Sequence, residues 1–372
     1  MKRINIALFS LMLLGVLFSC SKASLNYTQN GNWVSRAAFP GVPMGNGTSF
    51  VVDNAAYVGT GTNPNDPNHR LITMYKYVAA DADPNNPTGY QNAYGQWTQI
   101  ANFAGSPRSN AVGFAIGSLG YIGSGLANDG FTPLADFYSY NPANNSWAQI
   151  DSIHDATRNY PRFDAVAWGF DSVGYVLTGT DNQLYFGDVW KYSPASNSWS
   201  IQPFMPGSPR SAAVTWVYNK KGYLLTGTTP SGTFAVGSAC YDFWSFDPSP
   251  SAAGNPWKRL RDISNTNPDT YDDGYTNIIR SHASGFVLLG QPTGDKGYIT
   301  LGSNGTVYNF TWEYDFATDL WTEKTPYEGS PRTGAVGFTI QGRGFVATGI
   351  NGATGYSDTR EFFPNQIYNQ YD

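Results

Sequence analysis

An aromatic residue stands thirteen positions after a recurring basic landmark, and this spacing constrains the chain more than any other feature. Pro107-Arg108, Pro161-Arg162, Pro209-Arg210 and Pro331-Arg332 lead to Tyr121, Tyr175, Tyr223 and Phe345. Pro43-Met44 leads to Tyr57 at the same distance, and Arg280 leads to Tyr298 with five extra residues, about where 291–295 intervene. Six units in one register mean repetition, and such a unit cannot bury its apolar face without its neighbours. The 372 residues would otherwise allow two or three ordinary domains; the repeat predicts one array instead.

Within each unit the aromatic opens a short apolar strand that ends in a Gly pattern, as in Tyr175-Val176-Leu177-Thr178-Gly179. An Asp-x-aromatic strand follows. Asp136-x-Tyr138-x-Tyr140, Asp188-x-Trp190-x-Tyr192 and Asp242-x-Trp244-x-Phe246 place rings two residues apart, hence on one sheet face. Eleven residues after the Asp position come Trp147 and Trp199. Trp321 keeps that distance from Phe310, and Trp97 and Trp257 are the same landmark delayed by insertions. Composition agrees. Charged residues are 13% against a usual ~25%, while 41 glycines and 16% aromatics describe a turn-rich β protein with ample apolar area to bury.

These landmarks resemble the kelch repeat, over about 340 residues. The resemblance implies an all-β, six-bladed kelch β-propeller with four-stranded antiparallel blades. Two departures stand out: Thr-Gly-Thr or similar replaces the usual paired glycine, and Phe310 replaces the acid of the fifth repeat. The sixth repeat ends eight residues after Pro364 without its Trp, whereas Asn32-Trp33, followed by Ala38-Phe39-Pro40-Gly41, looks like an outer strand and its exit turn. The N-terminal strand is therefore expected to complete the last blade.

Residues 1–19 carry Lys2 and Arg3 and then an uncharged run, too short for a membrane span and suited to a signal peptide. Leu17-Phe18-Ser19-Cys20 resembles the bacterial lipobox, which implies a lipidated Cys20, a tether over 20–30 and the propeller over 31–372. Ser21-Lys22, with no acidic cluster, resembles the outer-membrane export pattern. The expectation is a monomeric outer-membrane lipoprotein of the bacterial envelope, held by its lipid alone. Without Lys2 and Arg3, 20 basic residues face 27 acidic ones, and no basic stripe invites nucleic acid. Cys240 is the only other cysteine, so a lipidated Cys20 leaves no intramolecular disulfide.

In a kelch propeller, the connections after the Gly pattern and before the Pro-Arg turn share the face that usually binds. Loops 62–70, 126–134, 151–160, 229–239 and 261–279 elaborate it here, against 78–96, 249–256 and 291–295 on the opposite face, and loops on a rigid scaffold carry function. Two residues after each landmark lie Asn46, Asn110, Asp164, Ala212, His282 and Gly334, near the channel mouth. Their variety argues against a purely structural ring. Four are polar and can converge on a ligand, with Asp164 as an acceptor and His282 as a titratable group. The recurring arginines are expected to brace turns from blade to blade through their planar donor fork. Asn159, Tyr160, Tyr271 and Tyr275 in the long loops would offer stacking and hydrogen bonds to a glycan or an envelope protein.

No metal or cofactor is expected. Asp81-x-Asp83-x-Asn85 starts like a calcium loop but lacks its Gly and Glu. Galactose oxidase builds a copper site on a kelch propeller with two His and a Tyr-Cys crosslink, whereas His69, His154 and His282 fall in different repeats and Cys240 has no such pair. Nucleophile elbows, phosphate loops and dinucleotide fingerprints are missing from the sequence. The layout is similar to the bacterial periplasmic sialic acid mutarotases. As the alternative to a binding module, that resemblance implies a sugar mutarotase or epimerase-type isomerase needing only an acid and a base, with Asp164 and His282 the candidates.

Overall fold

A computed structural model describes residues 31–79, 94–230, 235–236, 238–249, 254–264, 275 and 277–371. Among these there is no helix, and six four-stranded antiparallel sheets form the six blades of a β-propeller. Blade 2 shows the plan, with Val112–Ile116, Leu119–Gly123, Phe137–Asn141 and Ser146–Ile150 following the chain from the channel outward. Blade 6 takes its inner three strands from the end of the chain and its outer strand, Asn32–Arg36, from the beginning. Trp33 stands opposite Phe362 in that pairing. The ring closes as its missing Trp predicts.

The thirteen-residue spacing has a physical origin. It sets the aromatic directly across from a second ring on the inner strand: Phe50 with Tyr57, Phe114 with Tyr121, Trp168 with Tyr175, Trp216 with Tyr223, Phe286 with Tyr298, Phe338 with Phe345. The five residues added in blade 5 lengthen the hairpin and leave the pairing intact. These pairs lean on the outer-strand Trp of the next blade. Trp168 lies 5.9 Å from Trp257, Trp216 lies 5.8 Å from Trp321, and Phe286 lies 5.9 Å from Trp33. Such contacts contribute about 0.5–1.5 kcal/mol each beyond the area they bury. A Cβ on Gly222 would run into the Trp168 ring, so the glycine lets one blade seat against the next. The Trp landmark adds a polar link, because the indoles of Trp97, Trp147, Trp199 and Trp257 donate to the carbonyls of Ala37, Ala101, Asp151 and Pro203, which leave the preceding blade.

The arginines depart from expectation. Arg108, Arg162, Arg210 and Arg332 are buried, and each guanidinium bonds the carboxylate of its own blade: Asp136, Asp188, Asp242 and Asp358. The Arg precedes the inner strand and the Asp precedes the third, so the fork closes across one end of a single sheet. The brace is within a blade. Between blades the link is the arginine's backbone: Gly61, Gly125, Gly179, Gly227 and Gly302 donate N–H groups to the carbonyls of Arg108, Arg162, Arg210, Arg280 and Arg332, and Gly349 closes the circle onto Met44, all at 2.7–2.9 Å. Blade 1 lacks both brace partners, with Met44 and Thr73 in their places. Blade 5 lacks the acid alone, and Arg280 donates to the carbonyls of Ile278, Leu301, Phe310 and Asn277. Burial pushes its pKa below the usual arginine value.

Candidate functional site at the channel mouth

Two residues beyond each brace the chain turns into the inner strand, and the turn has one shape in all six blades. Asn46, Asn110, Asp164, Ala212, His282 and Gly334 all have φ between 50° and 60°. Each N–H donates to the carbonyl of the equivalent residue in the preceding blade, so six hydrogen bonds of 2.8–3.1 Å close a circle around the mouth. This corrects one inference from the sequence. Asn, Asp, His and Gly are the residues that accept left-handed backbone, so part of the variety at these positions is conformational in cause. Ala212 stands outside that set. A similar strain recurs where the kelch pattern would have a glycine: Thr60, Ser124, Thr178, Thr226, Leu301 and Thr348 all have φ between 55° and 63°.

On this frame the side chains converge. Asn110 Nδ2 donates to Asp164 Oδ1 at 2.6 Å, and His282 Nε2 lies 3.3 Å from Asp164 Oδ2, reaching past Ala212 from two blades away. His282 Nδ1 lies 3.4 Å from Ser281 Oγ. Asn46 leans back over Gly334, where a Cβ would collide with its Oδ1. Together they line a mouth cavity of about 140 Å3, above a channel of about 400 Å3 walled by the inner strands. Asp164 is 13% exposed and His282 32%. Burial opposes the charged imidazole, but the charge of Asp164 and its hydrogen bond outweigh it, and the His282 pKa lies above its ordinary value. The mouth thus holds an oriented carboxylate in contact with an imidazole whose pKa is raised by that carboxylate. A sugar docked against this pair meets a proton acceptor and a titratable proton donor side by side.

The other sequence candidates lie elsewhere. Asn159 is exposed and pairs through its backbone with His154. Tyr160 donates its hydroxyl to Asp155 at 2.5 Å and packs 4.8 Å from Trp190. Tyr160 lines a separate outer groove of about 550 Å3 beside blade 3, with Arg158, Phe186, Leu184, Ile201 and Phe204. The repeat pattern gives no sign of this groove; its one sequence signal is that Leu184, Ile201 and Phe204 are large apolar residues outside the repeat landmarks, and each is more than half exposed. Tyr275 is a correction. It is buried against Trp312, and its hydroxyl accepts the Trp321 backbone N–H at 2.8 Å. Tyr271, Cys20 and the Asp81 to Asn85 stretch lie outside the described residues. Among the described residues no group of three or more His, Cys, Asp or Glu side chains is placed to hold a metal ion.

Fold and repeat together define a six-bladed β-propeller of the kelch type, with a polar mouth on its loop-rich face. No family model matches the chain. An N-acetylneuraminate epimerase of Yersinia pestis is 32% identical over 152 residues, 39% of this chain and 33% of that protein. Another, from Haemophilus influenzae, is 25% identical over 173 residues, 45% of this chain and 40% of that protein. An Arabidopsis thaliana protein named as F-box/kelch-repeat is 31% identical over 80 residues, 21% of this chain and 22% of that protein. The chain thus matches about a third of the length of the first of these relatives. The solved structure of YjhT superposes with a TM-score of 0.63 at 16% identity, over 87% of this chain and 95% of that one, a likeness of fold.

Proposed function

We propose that the protein is a sugar isomerase, a mutarotase that exchanges the anomers of an acidic sugar of the N-acetylneuraminate kind at the channel mouth. The observation that carries this reading is the contact of Asp164 with His282, held from the other side by Asn110. Anomer exchange asks for an acid and a base and nothing else. Asp164 takes the proton of the anomeric hydroxyl while the His282 imidazolium gives one to the ring oxygen. The ring C–O bond breaks, the anomeric carbonyl forms, rotation presents its other face, and the reverse transfers close the ring with no net change of protons. The mouth cavity is small against the ~300–1,000 Å3 of a pocket that encloses a whole ligand, so it would take the anomeric end while the rest of the sugar lies among the face loops. The names of the curated relatives support the substrate class.

The test is the exchange rate of a freshly dissolved single anomer of N-acetylneuraminate, followed by proton NMR. Asp164→Asn and His282→Ala should each slow the enzymatic rate by about 10²–10⁴. Wild-type rates in both variants would exclude the assignment.

A second role is favoured by the outer groove, whose exposed Leu184, Ile201 and Phe204 form an apolar patch fit for recognition of a glycan or an envelope protein. A glycan array probed with wild type and Phe204→Ala separates it from the mouth: a hit lost in this variant and kept in His282→Ala belongs to the groove. Anchoring through Cys20 is part of the proposal, with the lipobox residues as its support. Mass spectrometry of the N-terminal peptide, against Cys20→Ser, tests it.

A further inference from the structure

The mouth circle has two positions with no polar side chain, Ala212 and Gly334, and both lie where a side chain from the next blade reaches back. Asn46 of blade 1 leans over Gly334 so closely that a Cβ there would strike its Oδ1. His282 of blade 5 passes position 212 to meet Asp164 of blade 3. Gly334 thus has a plain steric cause. Ala212 does not follow from the backbone, which at φ 50° favours the Asn that occupies blades 1 and 2 or the Gly of blade 6. Ala212 is 7% exposed and lines the mouth cavity. An Asn there would carry its amide into the path by which the imidazole reaches the carboxylate, as Asn110 points its own at Asp164 from the other side.

We propose that Ala212 is the positioning residue of the site, kept short against its backbone preference so that the His282 side chain can pass it and meet Asp164, the pair then standing together at the mouth where the anomeric centre docks. This rests on the mutarotase reading for its catalytic half, while the placement of the two side chains stands on geometry alone. The methyl group leaves that path clear while still lining the mouth cavity.

Two variants test it in the full chain. Ala212→Asn suits the left-handed turn and should fold with a Tm no lower than wild type, yet slow anomer exchange about tenfold or more. Its amide would compete for Asp164, so the His282 titration seen by NMR should move down toward the ordinary imidazole value. Ala212→Gly leaves the path clear and should keep the His282 titration of wild type and a rate within about threefold of it. The proposal is overturned if Ala212→Asn titrates at His282 as wild type does, or if Ala212→Gly loses as much rate as Ala212→Asn. A wild-type protein that exchanges no anomers would sink the mutarotase reading, and the His282 titration would still decide the placement of Ala212.

Discussion

Two tiers of the loop-rich face lie two residues apart in sequence and follow opposite rules. In the brace tier the side chain repeats: Arg108, Arg162, Arg210 and Arg332 each hold the equivalent Asp carboxylate of their own blade, three of them through both terminal nitrogens and Arg210 through one, buried at 0–1% exposure. In the mouth tier the backbone repeats, with one φ and one hydrogen-bonded circle, while the side chains differ from blade to blade. Repetition of a side chain in a ring marks a task each blade performs for itself. Variation on a repeated backbone marks the place where the ring stops being symmetric, and an asymmetric ligand needs such a place.

Blades 1 and 5 sharpen this contrast. Blade 1 has lost both brace partners together, leaving the buried Met44, whereas blade 5 has lost only the acid. Removing both members of a buried ion pair is often close to neutral, while removing one leaves an uncompensated charge. The largest predicted effect follows. Asp242→Ala strands the buried Arg210 and should destabilise the fold by about 3–5 kcal/mol, while Arg210→Met with Asp242→Thr, which copies blade 1, should recover most of that. Urea unfolding measures both. A cost near zero for the single variant would remove the brace tier from the structural side of the comparison.

The mouth tier should answer in rate and leave stability alone. His282→Ala is expected to cost less than about 1 kcal/mol of stability, given a partly exposed side chain, while anomer exchange falls by about 10²–10⁴. If unfolding and activity fell together, the two tiers would not be distinct. Gly334→Ala probes the frame under the side chains: a left-handed φ and a Cβ against Asn46 should cost about 1–2 kcal/mol by thermal or urea unfolding.

The smallest effect is the pH dependence. The His282 pKa is raised in the folded state, so its pairing with Asp164 stabilises fully below the ordinary imidazole pKa and is lost as pH rises through the folded value. The stability difference between wild type and His282→Ala should therefore be greatest below the ordinary imidazole pKa and fade as pH rises through the raised folded value. A difference that grew with pH would contradict the ion pair.

Much of this was legible in the residues. The thirteen-residue spacing, the Asp-x-aromatic strands and the displaced Trp33 define blade number, strand order and closure, because they are local patterns that each blade must satisfy to pack on its neighbour. The mouth candidates Asn46, Asn110, Asp164 and His282 were also legible, since register alone carries them to equivalent places. What they do there was not. Asn110 and Asp164 are 54 residues apart, Asp164 and His282 are 118 apart, and only ring closure brings them within hydrogen-bonding distance.

Loops outside the repeat had no such guide. Tyr275 reads from sequence like an exposed aromatic and lies in the core, while Phe204 and Leu184 line a groove that no spacing announces. The sequence by itself determined the propeller, because a repeated strand pattern admits few other ways to cover its apolar faces. Tertiary structure alone decided that the arginine forks act within blades, that a left-handed turn underlies the mouth, and that Ala212 leaves Asp164 open to His282. Each of these depends on distances across the ring, which a linear pattern does not contain.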